Sequence, residues 1–312
     1  MEISMHIPDG FLSPPVAIAT GIASAAVIAV ALNRTRASLG LRQAPVMGLT
    51  TAFVFAAQMI NFPVAGGTSG HLLGGALASV VLGNPWAATL AMSTVFIIQS
   101  VLFADGGITA LGANIFNMGL VGIWVGWWLF QPLQQLLGGS RNRLPLAAGI
   151  AAALSVVAAS ICCAIELAIS GTVPLNIALP AMVGIHILIG IGEGLITGGV
   201  LSYLVKVRPD LLPGEQPQLQ KWLMPVIGVL LISGVLSLFA SSWPDGLDSV
   251  AEKYGFKDKE AVAIENPTPL ANYSVKGLEE QPIGTSIAGV LGSAICFGTA
   301  FGIAQLVKPK NA

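Results

Sequence analysis

Three histidines stand among 312 residues, His6, His71 and His186, and the setting of each bears on whether its imidazole can hold a metal. Imidazole is the commonest neutral ligand of late first-row metal ions. His71 closes "AGGTSGH", a glycine-rich stretch whose backbone can approach a bound ion closely. The same position also suits a loop histidine that merely opens a helix. His6 follows Met5 in "MHIPDGF". If Met5 is the first residue, its amine, the amide nitrogen of His6 and the His6 imidazole lie within one short stretch and can take adjacent positions around one ion. His71 supplies a fourth nitrogen. Four nitrogens in a plane suit Ni(II) or Cu(II) and can hold low-spin Co(II), whereas magnesium and calcium call for oxygen.

Other polar groups admit two readings each. His186 and Glu193 lie seven residues apart on one helical face, where they form either a proton relay or, as we favour, a hydrogen bond that closes the helix bundle. Glu166, near the end of a span, is expected to snorkel to water. Asn114 and Asn117 suit either orienting His71 or bonding between helices, and Asp105 in "ADGG" reads as a turn residue.

These groups must be positioned by membrane helices. The chain is 54% hydrophobic and 9% charged, far below the roughly 25% charge of soluble domains. The fold class expected is therefore an all-α integral membrane protein. Apolar segments fall at 14–32, 45–62, 72–83, 86–104, 113–134, 145–169, 179–205, 222–242 and 283–307. The third is shorter than the ~17 to 25 residues of a spanning helix, so it is expected to be tilted, buried or re-entrant. Short loops rich in Arg and Lys stay cytoplasmic. With the N-terminus outside, Arg34, Arg36, Arg42, Arg141, Arg143, Lys206, Arg208, Lys221, Lys308 and Lys310 all fall inside. This register expects "MHIPDGF", "NFPVAGGTSGH" and "FADGGITALGAN" to meet at the outer face.

The polar stretch 207–221, "VRPDLLPGEQPQLQK", reads as a cytoplasmic linker between a seven-segment module (1–206) and a two-helix transmembrane hairpin (222–312) with a long outer loop. A net charge of −1 leaves no basic surface for nucleic acid. The acidic N-terminal segment does not read as a cleavable signal. Cys162, Cys163 and Cys296 lie in apolar runs and read as packing residues. There is no Walker-type glycine loop, hence no ATPase site, and no HExxH pair or nucleophile with a placed base.

"MHIPDGFLSPP", "NFPVAGGTSGHLLGG", "GANIFNMG" and "HILIGIGEGLITGGV" together resemble the CbiM/NikM-type substrate-binding membrane subunits of energy-coupling-factor transporters, over about residues 5–206. "WPDGLDSVAEKYGF" resembles the PDGLE-type hairpin that accompanies them. The resemblance implies a plasma-membrane importer subunit that captures Co(II) or Ni(II) as substrate, with no permanent cofactor, through nitrogens of Met5, His6 and His71. It implies a transmembrane coupling subunit and cytoplasmic ATPase subunits as partners. It also gives the small-residue stripe Ala17, Gly21, Ala25 and Ala29 a use in docking the coupling subunit, beside internal packing. The terminal chelate needs histidine as second residue, so the functional chain is expected to begin at Met5, and a retained "MEIS" to weaken binding. The rival reading is a stand-alone proton-coupled carrier that uses Glu193 and His186.

Overall fold

A computed structural model describes residues 6–38, 43–261 and 268–307. It is helical apart from one short antiparallel pair, β1 (Phe62–Pro63) with β2 (Ser69–Gly70). In chain order the helices are α1 (Pro14–Ser38), α2 (Ala44–Gln58), α3 (Gly75–Leu82), α4 (Pro85–Leu102), α5 (Leu111–Asn114), α6 (Gly122–Leu136), α7 (Leu144–Ile169), α8 (Leu175–Val207), α9 (Leu223–Gly234), α10 (Gly246–Tyr254) and α11 (Pro282–Val307). A π-helical stretch, Ile115–Val121, joins α5 to α6 without a break. Prolines stand at the starts of α2, α4 and α7, where the missing N–H costs nothing. The Asn84 side chain caps α4 by accepting from the Trp86 and Ala87 amides.

Among the described residues six helical segments are long and apolar enough to cross a bilayer: Pro14–Arg36, Pro85–Leu102, Leu111–Leu136, Arg141–Ile169, Leu175–Val207 and Pro282–Val307. Two expected spans are shorter as helices. α2 has 15 residues, and α9 has 12 before it tightens into a 3-10 turn, Leu236–Phe239. α4 runs through the centre, with 72% of its apolar window buried, against 17% for α1 at the periphery. The buried face of α1 is Val16, Thr20, Ser24, Ala31 and Thr35. It lies one position away from the small-residue stripe, of which Ala25 and Ala29 stay exposed.

The short third segment has a specific form. Residues 71–74 are non-helical, with Gly74 in the left-handed region, and only eight residues, Gly75–Leu82, are helical, or ~12 Å of helix at ~1.5 Å per residue. This non-helical part penetrates the bundle, for the amides of Leu73 and Gly74 donate to Glu193, near the middle of α8. At its other end Gly83 packs on Pro213. Such a broken segment survives in an apolar surrounding because protein covers it and its freed amides find an acceptor.

The two modules share their core. α11 packs along α2, and one cluster joins Phe55, Met92, Phe96 and Phe103 to Leu270, Tyr273 and Cys296. A second joins Ile7, Phe11, Leu167 and Met182 to Leu247, Val250 and Phe256 of the long loop. That loop carries α10, an amphipathic helix absent from the sequence expectation. The linker is folded rather than loose: Arg208 is buried and clasps the carboxylate of Asp210 through Nε and Nη2 at 2.8 Å each, and donates to the Lys221 carbonyl.

Candidate metal site

The N-terminal segment is sewn onto the bundle through its backbone. Ile7 donates to Asn114 Oδ1 at 2.9 Å, and Asn114 Nδ2 donates back to the Ile7 carbonyl at 3.1 Å. The Asp9 carboxylate accepts from the amides of Ile108 and Thr109 at 3.2 and 2.8 Å, and the Phe11 carbonyl accepts from the Thr172 hydroxyl. The carboxylate beside the N-terminal histidine therefore fixes the segment. Asn114 grips the residue after His6 rather than His71. Gly106, at φ +81°, makes room for this approach, since a Cβ there would stand 2.8 Å from the Cβ of His6.

His6 and His71 are both buried, and their ring centroids lie 5.5 Å apart. They line one cavity of about 60 Å³ together with Asn117, Cys163, Met182, His186 and Asp245. In size it has room for an ion together with a few waters. His71 Nδ1 donates to the Leu72 carbonyl at 3.1 Å. Because a carbonyl only accepts, the proton sits on Nδ1 and Nε2 keeps its lone pair. That Nε2 faces Asp245 Oδ2 at 3.9 Å, two acceptors on either side of a gap a cation would fill. His6 Nδ1 stands 2.9 Å from Asp105 Oδ1. Asp105, read from the sequence as a turn residue, is thus buried against the histidine. Met5, the remaining expected ligand, lies outside the described residues.

His186 reaches the same cavity, and its Nδ1 donates to the Met182 carbonyl one turn back at 2.7 Å. Glu193 accepts from Leu73 and Gly74 at 2.6 and 3.0 Å, so it anchors the His71 strand instead of pairing with His186. Glu166 is buried rather than snorkelling, and accepts from Asn117 Nδ2 at 2.7 Å.

The second module meets this site directly. Ser69 donates to the Pro244 carbonyl at 2.8 Å, and the Thr68 and Ser249 hydroxyls lie 2.6 Å apart. A Cβ on Gly246 would stand 2.9 Å from His186 Cε1, so only glycine lets "WPDG" sit this close. Asp245 caps α10 with one oxygen, accepting from Asp248 at 2.9 Å, and turns the other to His71. Burial pushes its carboxyl up from the usual range. Nothing in "WPDG" as a sequence marks Asp245 as part of the site, since an Asp-Gly pair signals only a helix start.

Composition and fold together define a multi-pass, all-α membrane protein. Residues 6–211 match the model of the cobalt uptake substrate-specific transmembrane region, and residues 219–309 match the PDGLE domain. The chain belongs to that cobalt uptake family, in a form that carries a C-terminal PDGLE domain. It is 30% identical over 346 residues to the fused nickel transport protein NikMN of Rhodobacter capsulatus, covering 97% of this chain and 99% of that one. It is 30% identical over 275 residues to the cobalt transport protein CbiM of Geobacter sulfurreducens, covering 80% and 77%. A crystal structure of a truncated transition metal transporter superposes with a TM-score of 0.59 at 36% identity, covering 65% of this chain and 99% of that chain.

Proposed function

We propose that this protein is the substrate-specific membrane component of an energy-coupling-factor transporter that imports nickel or cobalt, with Met5, His6 and His71 as the metal ligands. The observation that carries the reading is the meeting of His6 and His71, 65 positions apart in sequence, in one buried cavity with ring centroids 5.5 Å apart. A divalent ion there needs anionic neighbours, and Asp105 and Asp245 lie against the two histidines. Among the described residues no three histidine, cysteine or acidic side chains form a ligand set alone. The remaining donors in the proposal are the backbone nitrogens at Met5 and His6.

In this reading the protein lies in the plasma membrane with its N-terminus outside. Residues 1–206 form the metal module, 207–221 the linker and 222–312 the hairpin. A coupling subunit and ATPase subunits, which dock from the membrane and the cytoplasm, drive release inward. The rival carrier is disfavoured because Glu193 and His186 are each engaged with backbone groups.

Calorimetric titration of the purified protein with Ni(II) and Co(II) tests the ligands. His71→Ala should abolish high-affinity binding without lowering the unfolding temperature, and His186→Ala should leave binding largely intact. Wild-type affinity in His71→Ala refutes the proposal.

A further inference from the structure

A second and larger cavity, of about 410 Å³, lies where the two modules join and shares no lining residue with the histidine cavity. α2, α3 and α8 line it from the first module and α9 from the second. Among the described residues no charged side chain lines it. Its two side-chain hydroxyls are already engaged: Thr50 donates to the Val46 carbonyl and Tyr203 to Met224 Sδ, each at 2.8 Å. Nothing in these side chains invites water. An apolar cavity of only about 150 Å³ stays dry and takes up apolar molecules such as benzene or xenon.

The cavity opens sideways between α8 and α9. Gly199 on α8 and Gly228 on α9 both line it, and a Cβ on either would meet no atom within 4 Å. Outside this slot the two helices present exposed apolar side chains, Leu195 and Leu231 among them, to the hydrocarbon of the bilayer, so what can enter from there is an acyl chain. The Tyr203–Met224 contact bridges the slot at one end. A flexible chain can lie under that bridge, whereas a helix ~10–12 Å across cannot. Beyond the bridge the slot ends in positive charge: Lys206 in the last turn of α8 and Lys221, whose carbonyl Arg208 grips at 2.6 Å, are both exposed. Trp222 packs on the apolar cluster that walls the cavity, and its buried Nε1 has no acceptor among the described residues. Buried donors in native folds are almost always paired, so this N–H calls for a partner.

We propose that this cavity binds one anionic phospholipid, with an acyl chain in the cavity and the phosphate accepting from Trp222 Nε1 beside Lys206 and Lys221. The wall suits the chain and the basic end suits the headgroup, since lysines at a membrane surface attract anionic lipids. Three of the four lining helices, α2, α3 and α9, are shorter than a spanning helix. Short segments are matched to the bilayer only at a cost, and a lipid held among them supplies the apolar contact they lack. It also fills the joint between the modules. The site stands whether or not His6 and His71 bind a metal.

The test is native mass spectrometry of the full chain released from mild detergent, with phosphatidylglycerol and phosphatidylcholine titrated separately. The wild type should retain one phospholipid and bind phosphatidylglycerol ~10-fold more tightly than phosphatidylcholine, the scale expected of lysines at an anionic headgroup. Gly228→Leu fills the slot and should lose the retained lipid. Gly298→Leu, at an equally open glycine of α11 outside the cavity, should keep it. Trp222→Phe keeps an aromatic ring and removes the N–H, so it should bind phosphatidylglycerol ~10-fold more weakly. A wild type that binds no phospholipid overturns the proposal. So does lipid kept by both glycine variants or lost from both, which marks lipid of the general annulus. If Gly228→Leu lowers the unfolding temperature, Trp222→Phe and Lys221→Gln decide, because they leave the slot untouched: an unchanged preference for phosphatidylglycerol in both overturns the proposal.

Discussion

Replacing Glu193 by glutamine changes one atom and asks what the buried carboxylate does. Its oxygens accept from Leu73 at 2.6 Å and Gly74 at 3.0 Å, and so tie the His71 strand to α8. Glutamine keeps one oxygen and turns an NH2 group toward the other amide. Each bond to a charged acceptor contributes about 1.5–3 kcal/mol, a neutral one about 1, and an amide left buried without an acceptor costs about 1–3. The anchor therefore loses on the order of 3 kcal/mol or more. If half to all of 3 kcal/mol appears as the cost of recovering the binding conformation, metal affinity falls by about tenfold to 100-fold. The assay is equilibrium titration with Ni(II) in detergent, where no proton gradient exists, alongside uptake in cells. Loss of uptake with unchanged affinity would refute the anchoring argument and revive the proton relay.

Two further outcomes follow from the geometry. Gly246→Ala places a methyl 2.8 Å from Ile189 Cδ1 and 2.9 Å from His186 Cε1. Overpacking of this kind costs about 1–3 kcal/mol, so uptake should fall as "WPDG" lifts from β2, and increased proteolysis near residue 243 reports the lift; unchanged uptake and cleavage count against the contact. The guanidinium of Arg208 holds Asp210 down from 3.8 to about 2, so its stabilisation is complete above 3.8 and disappears as pH falls toward about 2. The gap in unfolding temperature between wild type and Arg208→Leu should narrow over that window, and a constant gap would show that the ion pair contributes nothing.

Hydropathy made the long helices legible, since a spanning helix must be apolar throughout, and the histidines announced themselves by their rarity in an apolar chain. The third segment was recognisably too short, but its form was not, because its acceptor, Glu193, lies 119 and 120 positions away. The same distance effect hid the supports of the site. Asp105 looks like any Asp in "ADGG" until Tyr273, 168 positions on, approaches it, and no periodicity marks "ANYS" as a stretch that enters the core. Asn114 was noticed for its type and place, yet which histidine it serves depended on how the N-terminal segment folds back. α10 escaped because nine residues with mixed charge carry too weak a pattern to separate from a loop.

The folded linker has a consequence for how the two modules stay together. The modules meet through shared apolar clusters and through the hydrogen bonds that seat "WPDG" on β2 and Tyr273 on Asp105, each such bond contributing about 1 kcal/mol net. Between separate polypeptides they would first have to offset the loss of translational and rotational freedom, estimated at about 4–15 kcal/mol. Joining the modules through a short linker pinned by Arg208 and Asp210 turns that encounter into an intramolecular one, with an effective concentration on the order of millimolar. The long loop then occupies its seat at any expression level, and every copy of the first module carries its partner in fixed one-to-one proportion.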